Sequence, residues 1–145
     1  MATVIAVCTS KNKGERKTNV ERAKALTGLG LEGDAHAGFQ HRQISLLAME
    51  SIEKMRQQGL DVKPGDFAEN ITTEGIELPV LPIGTRLRIG PVEVEVSQIG
   101  KECHNRCAIY YQAGDCVMPK EGIFVIVLSD GEIAVGDRIE VIGHA

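Results

Sequence analysis

Thr85-Arg86-Leu87-Arg88-Ile89-Gly90-Pro91-Val92-Glu93-Val94-Glu95-Val96 alternates apolar and polar residues on both sides of Gly90-Pro91. A period of two is the mark of a half-buried strand, and a Gly-Pro pair between two such runs marks a turn. The stretch therefore predicts a β-hairpin with one face on a core. Downstream, residues 123–128 form an unbroken apolar run, which fits a strand buried on both faces. Ser129-Asp130-Gly131 predicts a turn. Residues 138–142 read as a final strand after Val135-Gly136-Asp137.

Upstream, residues 3–8 are apolar and rich in β-branched side chains, and a polar, basic loop follows them. Residues 20–26 suit a helical turn or a strand equally. Residues 28–38 hold four glycines and predict a turn-rich loop. Residues 43–47 predict a strand. The pattern then turns helical over residues 48–58. Ala48, Ile52 and Met55 share a face, Glu50 and Lys54 are spaced to pair, and Gly59 stops the helix. Many short strands, Gly/Pro turns and one clear helix predict a mainly β fold. The expected architecture is a closed or nearly closed β-barrel with one or two peripheral helices, built as one domain over residues 1–145.

The 145 residues suit one domain with a real core, and 43% of them are hydrophobic. Sixteen Lys and Arg stand against twenty Asp and Glu, a formal charge of −4. An acidic balance argues against nucleic acid as the main ligand. It leaves room for a local basic pocket around a small phosphorylated ligand. No stretch approaches the roughly 20 apolar residues of a membrane helix, and residues 1–9 lack the charged and apolar regions of a signal peptide. A cytoplasmic protein with reduced cysteines is expected. The sequon at Asn70-Ile71-Thr72 then reads as a chance match.

Several groups of residues could carry chemistry. The run from Gly28 to Gly33 spells GxGxxG, but the residues after it are poor helix formers, so a plain glycine loop is the better reading. Asp34, His36 and His41 could hold a metal, but no regular spacing completes the set, and loop packing is favoured. Cys103, His104, Cys107 and Cys116 are the densest reactive group. Zinc ligation, burial as small hydrophobes and a reactive thiolate all compete for them. Lys101 and Arg106 near Cys103 favour the thiolate. Cys8, within an apolar strand, reads as an inert buried thiol. Lys11, Lys13, Arg16, Lys17, Arg42, Lys101, Arg106 and Lys120 fall in expected loops. Converging cations there would make an anion pocket, while a solvated surface is the plainer reading of any single one.

Five ordered motifs resemble the MOSC domain, named for the C-terminal domain of molybdenum cofactor sulfurases. They are Gly30-Leu31-Glu32-Gly33-Asp34-Ala35-His36-Ala37-Gly38 followed by Arg42-Gln43-Ile44-Ser45-Leu46-Leu47; Gly65-Asp66-Phe67-Ala68-Glu69-Asn70-Ile71; Gly100-Lys101-Glu102-Cys103-His104; Gly122-Ile123-Phe124; and Gly136-Asp137. The resemblance runs from about Val4 to Val141.

That resemblance implies a β-barrel of the pyruvate-kinase insert type. It implies binding of molybdenum cofactor (molybdopterin) or a precursor, with Cys103 as the family's thiol, either carrying sulfur or ligating molybdenum. Arg42, Lys101, Asp34, His36 and Asn70 become the expected cofactor-binding positions. The expected role is sulfur transfer in cofactor maturation. The alternatives are a small molybdenum-dependent reductase of N-hydroxylated compounds and a non-enzymatic cofactor carrier. A sulfur donor or an acceptor molybdoenzyme is the implied partner, with neither nucleic acid nor membrane involved. The pyridoxal phosphate domain of a complete cysteine desulfurase does not fit within this length.

Overall fold

The computed structural model describes residues 2–11, 17–34, 43–59, 61–67, 69–99 and 122–143. The chain runs β1 (Thr3–Thr9), β2 (Thr18–Asn19), β3 (Arg22–Leu26), β4 (Gly30–Leu31), β5 (Ile44–Ala48), α1 (Met49–Gln57) and β6 (Ile71–Glu74). A short 3₁₀ turn at Leu78–Val80 leads to β7 (Arg86–Ile89), β8 (Val92–Ile99), β9 (Ile123–Val127), β10 (Gly131–Ala134) and β11 (Ile139–Gly143).

An eight-stranded sheet has the order β11-β7-β8-β9-β5-β6-β1-β2, and β10-β3-β4 form a second, three-stranded sheet. The large sheet is curled but open, so the barrel is nearly closed rather than closed. Its ends, β11 and β2, do not pair with each other. An isolated bridge between Thr3 and Arg138 draws the first strand towards the last. Val4 N–H also donates to Asp137 O at 2.9 Å, and Ile139 N–H donates to Ala2 O at 2.9 Å.

The predicted hairpin is β7–β8, with Ile89 opposite Val92 across Gly90. Leu87, Ile89, Val92, Val94 and Val96 face the barrel core, while Arg86, Arg88, Glu93 and Glu95 lie outside, where Arg88 approaches Glu93 at 3.7 Å. The apolar run at residues 123–128 splits as period two requires. Ile123, Val125 and Val127 enter the barrel. Phe124 points outward into a second cluster with Leu47, Ile52, Met55, Val62 and Phe67. Helix α1 lies on this outer face of β5 and β9, which is why both strands are apolar on both sides. Glu50 caps the Gly75 N–H at 3.0 Å. Gly59, at φ +94°, ends the helix region as expected.

Residues 20–26 resolve as a strand, since β3 pairs with β10 along Ala23, Lys24 and Ala25. The GxGxxG run spans the turn between β3 and β4, β4 itself and the turn after it, and is not a strand-to-helix junction. Gly30, at φ +123°, passes so close to Gln43 that a Cβ would stand 2.5 Å from its carbonyl oxygen. Among the described residues, no helix is long and apolar enough to cross a membrane.

Candidate functional site

The sheet register fixes where the relevant segments meet. Ile99 pairs with Ile123, Ile123 with Leu46, Leu46 with Ile71, and Ile71 with Val7. These five residues form one row across β8, β9, β5, β6 and β1. Ile99 and Ile123 bracket the segment containing Lys101 and Cys103. Next to Val7 and Ile71 in the chain stand Cys8 and Asn70. From β9 to β1 is three strand spacings, about 14 Å at the usual separation.

Asn70 is fully buried. Its side-chain oxygen accepts from Ser45 N–H at 2.9 Å and from Ser45 Oγ at 3.1 Å. Its Nδ2 donates to Cys8 O at 3.0 Å. The backbone repeats the tie, because Cys8 N–H donates to Asn70 O at 2.6 Å. One asparagine thus staples β1, β5 and β6. A buried, committed amide is no glycosylation acceptor in the folded protein, in keeping with the chance reading of the sequon.

Asp34 is also buried, and Lys17 Nζ donates to its Oδ1 at 2.8 Å with side-chain exposures of 1% and 0%. Ser10 N–H donates to the same oxygen at 3.0 Å, and Lys17 Nζ donates to Ser10 Oγ at 3.1 Å. Burial pushes the Asp34 carboxyl upward. The Lys17 hydrogen bond and charge, the Ser10 N–H and the Asn70 side chain outweigh it, and the carboxyl titrates below its ordinary value. Asp34 therefore bonds backbone as loop packing requires, and carries an ion pair in addition. Lys17, read from sequence as a solvated loop cation, is 3% exposed.

Glu69, beside Asn70, is fully buried. It accepts from Phe67 N–H at 3.3 Å and from Thr72 Oγ1 at 2.9 Å. Burial raises its carboxyl to about 7 against these hydrogen bonds. The Cys8 thiol is raised to about 12, first by burial and then by Glu69. Cys8 is thus held as a neutral thiol, as its apolar strand predicts. The turn before Glu69 packs tightly: a Cβ on Gly65 would stand 2.2 Å from Lys17 O. Beside it, Lys17, Thr18, Asn19, Lys63, Pro64 and Asp66 line a pocket of about 340 Å³.

Of the expected site residues, Asp34 and Asn70 are therefore brought together, and His36, Arg42, Lys101 and Cys103 lie outside the described residues. So do His41, His104, Cys107 and Cys116. Among the described residues no group of His, Cys, Asp and Glu is arranged to hold a metal. Sequence reasoning passed over Ser10, Ser45 and Glu69. Ser45 and Glu69 each had a local signal, a place inside one of the ordered motifs, and Ser10 had none.

A family model for the MOSC domain matches residues 33–140. No curated protein matches the chain. Among solved structures, the chain is similar to the YUAD protein from Bacillus subtilis, with TM-score 0.79 and 18% identity, covering 96% of this chain and 94% of that one. It is similar to YiiM from Geobacillus stearothermophilus, with TM-score 0.75 and 20% identity over 99% and 76% of the two chains. For YiiM from Escherichia coli the TM-score is 0.69 at 24% identity, over 100% of this chain and 71% of that one. At these identities the likeness is one of fold.

Proposed function

This chain belongs to the MOSC domain family, a family associated with the molybdenum cofactor, and on that premise we propose that it binds the cofactor or a precursor and acts in sulfur transfer through Cys103. The observation that carries the reading is the cross-sheet row. The strand ends that bracket Lys101 and Cys103 stand in register with the buried polar floor at Cys8, Ser45 and Asn70. Two further segments open from that floor, one after Ser10 and one after Asp34. The second contains His36 and Arg42.

The donor set suits the group. Bound cofactor would supply a molybdenum centre held by dithiolene sulfur, together with a phosphate. A soft thiolate matches such a metal. Arg42 and Lys101 would hold the phosphate by charge-assisted hydrogen bonds, with His36 on the same segment. Asp34 and Asn70 complete the expected set from the described residues, with Asp34 the last of them before the segment that contains His36 and Arg42.

As sulfur carrier, the Cys103 thiolate attacks the terminal sulfur of a donor persulfide. A new S–S bond forms to Cys103, the donor S–S bond breaks, and the donor leaves as a thiolate. The transferred sulfur keeps its oxidation level, so no external oxidant enters. Such a persulfide donor, or an acceptor molybdoenzyme, is the partner this role requires.

Mass spectrometry of protein purified from a cofactor-producing host tests the reading. The expected result is bound pterin, or an added sulfur atom mapping to Cys103. Zinc without pterin or sulfur would overturn it.

A further inference from the structure

The connection from β6 to β7 turns part of an apolar run outward. Residues 78–83 read Leu-Pro-Val-Leu-Pro-Ile. Leu78 is fully buried in the barrel core, and Ile76 and Leu81 pack against that core. Val80 and Ile83, by contrast, are 67% and 58% exposed, the highest values for large apolar side chains among the described residues. The loop is fixed in this form by two turns. Leu81 N–H donates to Leu78 O and Thr85 N–H donates to Pro82 O, both at 3.1 Å. Pro79 and Pro82 each lock a φ angle as well. Ile142, also exposed, comes to the same end of the sheet, because its neighbour Gly143 pairs with Arg86. Apolar side chains presented on a rigid loop lose little freedom on binding, which favours a protein partner.

The charges beside the run decide which partner fits. Exposed Glu74 and Glu77 precede it, and exposed Arg86 follows it. Arg86 meets Glu95 only at 3.7 Å on the surface, a weak pair that competes little with a new partner. A two-fold axis through the centre of the loop lays the start of one copy against the end of the other. Acidic side chains then face a basic one on both sides of the axis, so the layout is complementary to itself.

We propose that residues 74–86 form the centre of an isologous dimer interface, with Val80 and Ile83 as its apolar core and Glu77 of each copy facing Arg86 of the other. The inference does not depend on the cofactor reading.

Sedimentation equilibrium of the full chain over roughly 1–200 μM tests it, with circular dichroism as a check on the fold of each variant. The wild type should dimerise within that range. Val80→Asp and Ile83→Asp should each weaken dimerisation by about a hundredfold or more, since the unpaired charge is buried twice in a two-fold interface. Both should keep the wild-type spectrum, because these side chains are exposed in the single chain. Glu77→Arg and Arg86→Glu should each weaken dimerisation about tenfold, and Glu77→Arg/Arg86→Glu should return to within about threefold of the wild type. The swapped charges meet again across the axis, a rescue that an interface elsewhere would not show. A wild type monomeric throughout the range overturns the proposal and leaves the loop to a partner of another sequence. A dimer unaffected by Val80→Asp and Ile83→Asp overturns it too, and a double variant no better than the single ones overturns the two-fold pairing.

Discussion

The side-chain amide of Asn70 donates to the carbonyl of Cys8 at 3.0 Å, joining residues 62 positions apart. The same side chain accepts twice from Ser45. Asn70→Ala would leave the Cys8 carbonyl and the Ser45 N–H buried without this partner. At about 1–3 kcal/mol for each abandoned group, the expected loss is about 3 kcal/mol. For a chain of this size the unfolding temperature should drop by roughly 10 °C, read by calorimetry. Asn70→Asp keeps the shape and an acceptor but loses the donor to Cys8, and should remain destabilised.

Glu69 gives stability a pH dependence of defined sign. Its carboxyl is raised from 4.5 to about 7 in the fold, so between those values the native state holds a proton that the unfolded chain releases. Stability contributed by this group is complete below pH 4.5 and declines as pH rises towards 7. The loss amounts to about 3 kcal/mol. Asp34 works in the opposite direction. Its lowered pKa adds stability above its ordinary value of 3.8, lost as pH falls through the native value. Urea unfolding from pH 4 to 8 should show the Glu69 decline in the wild type, and Glu69→Gln should flatten it. An equal slope in the variant would assign the decline to another group.

Two glycines with similar backbone angles should respond differently to alanine. Gly33, at φ +82°, has open space where a Cβ would go, so Gly33→Ala costs only the left-handed backbone, about 1–2 kcal/mol. Gly65, at φ +94°, would drive a Cβ to 2.2 Å from Lys17 O and 3.3 Å from Cys8 Sγ. Gly65→Ala adds that clash to the backbone strain and should cost about 2 kcal/mol more. Equal denaturation midpoints for the two variants would contradict this packing.

Two cysteines should differ in reactivity. Cys8, fully buried with a thiol raised to about 12, should stay unlabelled by limiting iodoacetamide in the native protein. Cys103 should label first, as read by peptide mass spectrometry. Cys103→Ser should remove sulfur transfer or cofactor retention while leaving the unfolding temperature unchanged. Cys8→Ser should cost about 1–2 kcal/mol by placing a hydroxyl in a desolvated site. Faster labelling of Cys107 or Cys116, with full function retained in Cys103→Ser, would move the reactive thiol elsewhere.

What the sequence alone determined was whatever is local or periodic. The alternation around Gly90-Pro91 specified the β7–β8 hairpin and its wet face. The apolar run at residues 123–128 announced a strand covered on both sides, and residues 48–58 a helix ended at Gly59. The ordered glycine and cysteine motifs pointed to the MOSC domain, whose family model matches residues 33–140. Shorter elements escaped. Strands β2 and β4 are two residues long, too short for a period, and β10 is held by pairing with the distant β3.

The buried polar floor was a tertiary decision throughout. Lys17 is an ordinary loop cation until Asp34, seventeen residues later, meets it out of water. Glu69 is an ordinary carboxylate until strand pairing seals it beneath Thr72 and Phe67. Burial depends on which distant segments come to rest against a side chain, and local sequence does not encode that. The Thr3–Arg138 bridge follows the same rule: whether a curled sheet draws its ends together depends on the twist accumulated over eight strands, not on any one of them.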